Sequence, residues 1–207
     1  MTSWWQLRGW GYLLTLACLL FAASAGQPAR AAGFTVDSVG DAVDANPGDG
    51  ICATVARQCS LRAAVQETNA VLGGDTITLP PGEYAVLIPS LVDDEDTVAE
   101  GDLDITGDLE IEGAGAAATI IGANDLPAIR VFEVHDVATV RISNVTVQNG
   151  GHVFAHGGGI INYGTLTISD SVIRANEGRE GGGIRNLGTL TVNGGAFIDN
   201  FGIIGHA

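Results

Sequence analysis

The stretch GGGIRNLGTLTVNGGAFIDN (181–200) decides the fold, because it repeats a stretch that lies twenty-four residues earlier, GGGIINYGTLTISDSVIRAN (157–176). Ten of the twenty positions are identical, and the block Gly-Thr-Leu-Thr begins at Gly164 and again at Gly188. A fixed period of this length is typical of a solenoid, in which stacked repeats bury one another's apolar faces. The repetition therefore predicts a stack of similar units.

Residues alternate within each copy as they do in β-strands. Leu166 and Ile168 in the first copy, like Leu190 and Val192 in the second, are predicted to point into the core, with threonines facing outward. Leucine-rich repeats need more leucines, and helical repeats need apolar residues at a period of 3.6, which is absent here. The predicted fold is therefore all-β, a parallel β-helix with coils of roughly 24 residues.

Asparagines recur at equivalent positions of the two copies. Asn176 falls on Asn200, and Asn162 falls on Asn186. Stacked coils would place each asparagine above its equivalent, so we expect their amides to hydrogen-bond along a ladder.

The repeat pattern extends toward the N-terminus in weaker form. Residues 138–149 match the second half of the repeat with one residue deleted, and residues 75–89 are predicted to form the first coil, with Pro80-Pro81-Gly82 at a corner. The β-helix is therefore predicted over residues 75–207, with about five coils.

Residues 1–31 are predicted to be a signal peptide. Arg8 precedes the apolar run GYLLTLACLLFAASA (11–25), and Ala29-Arg30-Ala31 has the pattern of a cleavage site. A retained N-terminal anchor is the alternative, although the run is short for a membrane span. We expect cleavage after Ala31 and an exported protein, secreted or at the cell surface, without membrane insertion after cleavage.

Export makes a disulfide the favoured interpretation of Cys52 and Cys59, the two cysteines that remain once Cys18 is removed. A bridge over so short a loop contributes about 2–3 kcal/mol in the chain-entropy model. Two free thiols or a metal pair are the alternatives.

The segment SLRAAVQETNAVLGG (60–74) is predicted to contain the chain's one helix. Ser60 is a favourable N-cap, and Gly73-Gly74 ends the helical pattern. Leu61, Val65 and Leu72 are expected to cover the open first coil, whose strand edges would otherwise face water. Residues 32–74 are therefore predicted to form a capping module.

The segment FTVDSVGDAVDANPGDGICATVARQCSLRAAVQETNA (34–70) resembles the N-terminal module of bacterial surface proteins named after a CSLREA motif, although Ala63 stands where that motif has glutamate. The rest of the chain resembles the right-handed parallel β-helix that follows in those proteins, a solenoid like those of pectate lyases and Pmp proteins. The resemblance implies an exported, often surface-attached protein with no established common activity. It also implies a C-terminal anchor in longer relatives, so we expect this chain to be truncated at its C-terminus or to stack there on a partner.

Charge restricts the partners. The chain has 24 acidic residues against 9 arginines and no lysine, a net charge of −15, and loss of Arg8 and Arg30 leaves 24 against 7, or −17. Such a surface repels nucleic acid and anionic membranes, and no nucleotide-binding motif is present. An extracellular carbohydrate or protein ligand is compatible with this charge.

A calcium site is one interpretation of the acidic residues near the N-terminus. Asp41, Asp44, Asn46 and Asp49 crowd a loop rich in glycine and proline, and calcium prefers six to eight oxygen ligands. The alternative is a solvated loop that uses Asp and Asn for its turns. A second acidic stretch, 93–108, is expected to be a protruding loop.

An enzyme must be considered, because parallel β-helices include polysaccharide lyases and hydrolases, which use arginine and carboxylates. The coils carry their candidate catalytic residues one at a time, without an acidic cluster on successive turns; these residues are Arg141, Asp170, Arg174 and Asp199. His152 and His156 are expected in a loop between coils. We therefore expect a non-enzymatic scaffold or adhesin-like binding module, with a polysaccharide lyase or glycoside hydrolase and a purely structural spacer as the alternatives.

Overall fold

The structure, a computed structural model, describes residues 31–71, 73–90, 98–123, 129–151 and 156–204. Within these ranges the chain forms one helix and seventeen strands. In chain order they are β1 (Gly33–Thr35), α1 (Leu61–Ala70), β2 (Gly74–Leu79), β3 (Gly82–Ala85), β4 (Leu103–Ile105), β5 (Asp108–Gly113), β6 (Thr119–Gly122), β7 (Phe132–Val134), β8 (Thr139–Ser143), β9 (Thr146–Gln148), β10 (Ile160–Asn162), β11 (Thr165–Ser169), β12 (Val172–Arg174), β13 (Glu177–Gly178), β14 (Ile184–Asn186), β15 (Thr189–Asn193), β16 (Ala196–Ile198) and β17 (Phe201–Gly202).

The strands form stacked parallel sheets. A six-stranded sheet has the order β1-β2-β5-β8-β11-β15, a five-stranded sheet β16-β12-β9-β6-β3, and a four-stranded sheet β14-β10-β7-β4. Strands β13 and β17 form a further pair. From β4 onward, each of four repeats contributes one strand to each large sheet, and strands of successive repeats lie side by side. The structure confirms the prediction of a mostly β chain with stacked parallel sheets.

The strand register follows the sequence repeat. Leu166 lies beside Leu190, and Ile173 beside Phe197, at the expected separation of twenty-four residues. In the preceding repeat, Thr139 pairs with Thr165 and Val147 with Ile173, so the offset is 26 residues in both strand pairs. The predicted one-residue deletion was therefore wrong. A slip of one residue between these strands would turn inward side chains outward, so pairing keeps the copies in step.

Burial falls toward the last repeat. Leu166 and Ile168 are completely buried, whereas Leu190 is half-buried and the side chain of Val192 is 42% exposed. Strand β15 is the edge of its sheet and has a neighbour on one side only. The same repeat pattern therefore yields different burial, because each coil depends on the next for its cover.

A turn between the six-stranded and five-stranded sheets requires a left-handed backbone in three successive repeats. The residues there are Asn144, Asp170 and Gly194, with φ of 59°, 48° and 79°. Asparagine, aspartate and glycine are the residues that adopt this conformation most readily. This requirement explains why the carboxylate of Asp170 is replaced by glycine one repeat later.

The asparagine ladder is present. Asn176 Nδ2 donates to Asn200 Oδ1 at 2.9 Å and to the Val147 carbonyl at 3.1 Å. One repeat later, Asn200 Nδ2 donates to the Ile173 carbonyl at 2.8 Å. Glycine is needed beside this ladder, because a Cβ on Gly159 would lie 2.6 Å from the Gly183 oxygen.

The N-terminal part of the chain packs directly onto the sheets. Strand β1 pairs with β2, so the six-stranded sheet extends into the segment predicted as a capping module. Ser60 caps helix α1 by accepting a hydrogen bond from the Ala63 amide at 3.1 Å, and the predicted disulfide joins Cys52 to Cys59. Leu61 and Val65 lie in the same apolar core as the strands, while Leu72 lies outside the described residues.

Some sequence-based predictions fall outside the described ranges. They concern most of the signal peptide (1–30), residues 93–97 of the second acidic stretch, and His152. Among the residues that the structure does describe, no helix has both the length and the apolar character to cross a membrane.

Candidate functional site

The loop that carries the calcium candidates points backbone amides at carboxylates. Asp44 accepts from the Asn46 amide at 2.8 Å and from the Ala53 amide at 2.7 Å. Glu67, on helix α1, accepts from the amides of Gly48 and Gly50, both at 2.8 Å. Calcium loops instead direct oxygen atoms toward a common centre. Here the carboxylates occupy the centre and order the loop around themselves.

Asp41 has a different partner from the rest of the loop. Its two oxygens accept from Arg62 Nε at 2.6 Å and Arg62 Nη2 at 2.9 Å. One of them also accepts from the amides of Leu87 and Ile88. The structure thus does not bring Asp41, Asp44, Asn46 and Asp49 together around one point, and the calcium site stays a prediction.

Substitution of Asp44 by asparagine is expected to lower the free energy of unfolding by about 1–3 kcal/mol, because the new NH₂ group would face a buried amide donor. Urea unfolding should show the same loss in the free energy of unfolding whether the buffer contains a calcium chelator or millimolar calcium. The matched variant Asp49→Asn changes an exposed side chain, and its effect should stay within about 0.5 kcal/mol. A loss for Asp44→Asn that appears only when calcium is present would instead establish an ion site in this loop.

Glu67 and Arg62 are structural residues that sequence reasoning missed. Both are buried, Glu67 completely and Arg62 to 1% exposure. Burial raises the pKa of Glu67, and the hydrogen bonds from Gly48 and Gly50 act against that rise. The available signal was helical spacing: Glu67 follows the buried Ala64 by one turn, and Arg62 precedes the buried Val65 by one turn.

A cluster of ionisable side chains lies beside strands β4 and β7. We call it the ionisable cluster, and its members are Asp102, Asp104, Arg130, Glu133 and His135. Asp104 and Glu133 are direct partners across the two strands. His135 Nε2 lies 3.3 Å from Asp104 Oδ1 and 3.9 Å from Glu133 Oε1. Arg130 Nη2 lies 2.6 Å from Glu133 Oε2, and Arg130 Nε donates to Asp102.

The side chains of the ionisable cluster are of the types that bind a metal ion or exchange a proton. Ligand atoms of Asp104, Glu133 and His135 all lie within 4.8 Å of one another, and among the described residues they form the one group of three His, Cys, Asp or Glu side chains that does so. Carboxylate and imidazole ligands together suit a transition-metal ion. Asp104 and Glu133 are only 1% and 5% exposed, so a large substrate has no direct access to these carboxylates.

Burial dominates the electrostatics of Asp102. It raises the pKa of this carboxyl group, while the guanidinium of Arg130 and, more weakly, that of Arg62 act in the opposite direction. The carboxylates of Asp102 and Glu133 therefore share the charge of Arg130 in a region with little water. Asp104 lies within the acidic stretch 93–108 that the sequence analysis singled out. Its pairing with Glu133 could not be predicted, because it depends on the register between strands β4 and β7.

The other charged candidates from the sequence remain separate. Arg141 faces Glu110 at 3.9 Å on the six-stranded sheet, while Arg174 donates to Gln148 at 2.7 Å on the five-stranded sheet. Asp170 and Asp199 occupy turns with φ of 48° and 52°. Their separation and their backbone conformation agree with the turn and surface roles predicted for them.

His156 forms a small polar group with the next repeat. Its Nδ1 lies 3.6 Å from Glu180 Oε2, and Arg185 Nη2 lies 2.8 Å from the same oxygen. His152, which was expected in the same loop, lies outside the described residues. Glu180 is therefore the acidic group that His156 meets in the structure.

A shallow groove of about 260 Å³ lies on the outer face of the six-stranded sheet. Four of its residues stand in one row across neighbouring strands, since Thr76 pairs with Glu110, Glu110 with Arg141, and Arg141 with Thr167. The side chains of Glu110 and Arg141 are exposed, and those of the two threonines are half-buried. The register thus builds a continuous polar row from four repeats.

Comparison of the chain with protein-family models, with curated proteins and with solved structures finds no match.

Proposed function

We propose that this chain is an exported right-handed parallel β-helix, of the kind seen in the CSLREA-motif surface proteins that its sequence resembles. In this proposal residues 1–31 are removed during export. The mature protein is a non-enzymatic, adhesin-like scaffold that binds an extracellular carbohydrate on the outer face of its six-stranded sheet. The polar row of Thr76, Glu110, Arg141 and Thr167 carries the proposal.

The chemistry of the row favours a hydroxyl-rich ligand. Threonine hydroxyls both donate and accept hydrogen bonds, Glu110 accepts, and Arg141 donates through a planar fork. Neighbouring strands are about 4.8 Å apart, so the row presents these groups at regular intervals along the stack. A chain-like ligand lying along the stack would meet one group per repeat. The net charge of −15 disfavours an acidic polymer.

A polysaccharide lyase or hydrolase is the second candidate, and the ionisable cluster favours it. Asp104 and Glu133 have ligand atoms within 4.8 Å of each other, which is near the spacing of two catalytic carboxylates in a retaining glycosidase. The burial of both carboxylates opposes this role, since a glycosidic bond must reach them. Binding on the exposed row therefore remains the better-supported function.

Affinity electrophoresis of the mature protein tests the proposal. Native gels should contain soluble neutral glucans, mannans or xylans, and polygalacturonate should serve as the acidic comparison. We expect at least one neutral polymer to retard the protein and polygalacturonate to leave it unaffected. The double variant Arg141→Ala/Thr167→Val should weaken binding about tenfold, the effect of losing about 1.4 kcal/mol of hydrogen bonding.

The matched control is Arg174→Ala, which removes an exposed arginine from the five-stranded sheet and should bind normally. Failure of every neutral polymer to retard the protein would refute carbohydrate binding. Equal retardation of the double variant would place the binding surface elsewhere, and shortening of the polymer by the wild-type protein would favour the enzyme.

A further inference from the structure

Asp75 is an acidic side chain in an apolar row of the core. Along the six-stranded sheet it pairs with Leu109, which pairs with Val140 and then with Leu166. Its side chain points inward like that of Ile77, and the residue is 1% exposed. Burial of a carboxylate in such a place is unfavourable unless a cation or several hydrogen bonds compensate for the lost water.

The contacts of Asp75 compensate for that burial only in part. Oδ1 accepts from the Ala32 backbone nitrogen at 2.7 Å. Oδ2 is buried, and no residue that the structure describes donates a hydrogen bond to it. No arginine or histidine in the described ranges forms an ion pair with this carboxylate.

Ala32 is also the first residue after the predicted cleavage site. Ala31 is exposed, as a residue at a cleaved bond must be, and Ala32 is held in place because its carbonyl accepts from the Thr76 amide at 2.9 Å. Strand β1 follows directly and pairs Gly33 with Thr76. The nitrogen of Ala32 is therefore fixed next to Asp75 by the sheet itself.

We propose that Asp75 is the receptor for the α-ammonium group of Ala32 that is created when the bond between Ala31 and Ala32 is cleaved. Hydrolysis adds the oxygen of water to the Ala31 carbonyl carbon, the C–N bond breaks, and the nitrogen of Ala32 gains protons. An amide with one N–H becomes an ammonium group with three, carrying a positive charge near neutral pH. Removal of the leader then completes a buried ion pair that fastens β1 to β2. The inference rests on the export and cleavage in the proposed function.

Two measurements test this ion pair. The first is the intact mass of the exported protein, which should correspond to a chain that begins at Ala32. The second is thermal unfolding before and after acetylation with acetic anhydride. Because the chain contains no lysine, the α-amine is its only primary amine. Acetylation should lower the Tm of the wild-type protein by about 4–8 °C, as loss of a charged hydrogen bond does in a domain of this size.

The variant Asp75→Asn should have a lowered Tm that acetylation no longer changes, and the exposed control Asp136→Asn should respond to acetylation as the wild type does. If Asp75→Asn does not fold, a chain that begins at Ala31 offers a second comparison. The ammonium group of that chain lies one residue too far from Asp75, so its Tm should match that of the acetylated wild-type protein. An exported protein that begins elsewhere would contradict both the proposed cleavage and this inference. A protein that begins at Ala32 and keeps its Tm after acetylation would overturn the ion pair alone and leave export standing.

Discussion

Replacement of Arg62 by methionine is expected to lower the free energy of unfolding by about 3–5 kcal/mol, because it leaves the buried carboxylate of Asp41 without its cation. Arg62 also donates to the carbonyls of Val98 at 3.0 Å, Asp102 at 3.2 Å and Gly101 at 2.7 Å. One side chain therefore joins helix α1, the N-terminal loop and the segment that leads into β4. The loss should be measured by urea unfolding with linear extrapolation.

The control for this prediction is Arg141→Met. Arg141 is exposed and meets Glu110 at 3.9 Å, and such surface pairs contribute at most about 1 kcal/mol. Asp41→Asn should behave like Arg62→Met, because it removes the other half of the pair. If both variants of the buried pair unfold at the urea concentration of the wild type, Arg62 is not the anchor that its contacts indicate.

Substitution of Leu166 by aspartate is expected to abolish folding. Leu166 is completely buried between β8 and β15, and a carboxylate there would have no cation and no access to water. The cost exceeds about 4–5 kcal/mol, which is comparable to the whole stability of a domain. Far-UV circular dichroism and the yield of soluble protein would report the outcome.

The variant Leu190→Asp tests whether burial, rather than the place of a leucine in the repeat, determines the destabilisation. The two leucines are equivalent in sequence, and the repeat alone predicts loss of folding for both. Leu190 is half-buried on the edge strand, so water reaches it and the loss should be smaller than for Leu166→Asp. Thr165→Asp changes an exposed neighbour and should be tolerated. Equal destabilisation by Leu166→Asp and Leu190→Asp would show that the last repeat is better covered than this structure indicates.

Local chemistry explains which features could be predicted. The N-cap at Ser60, the short disulfide loop and the inward direction of Leu166 depend on residues close together in the chain or on a fixed period. Even the exchange of Asp170 for Gly194 has a local cause, the left-handed turn that both residues adopt. The pairing of 138–149 without a deletion was not local, because it depends on two sheets remaining in register at once.

The candidate sites were mostly beyond prediction for the same reason. Asp104 and Glu133 are 29 positions apart and meet because β4 and β7 are neighbours. Asp41 was expected beside its sequence neighbours, yet its carboxylate binds Arg62 on the helix. Both contacts depend on which segments pack together, and no short pattern in the chain encodes that choice.

The sequence by itself determined the stacked β architecture, since a repeat of inward leucine and isoleucine, turn residues and asparagines makes each unit bury the next. Only the tertiary structure decided where charge is buried. Asp75 stands in an apolar row, and Arg62 and Glu67 lie inside a helix that looks merely amphipathic. The physical reason is that a buried charge is tolerated only when a partner compensates for the lost water. For Asp75 that partner comes from a distant segment, since the Ala32 nitrogen donates to it at 2.7 Å.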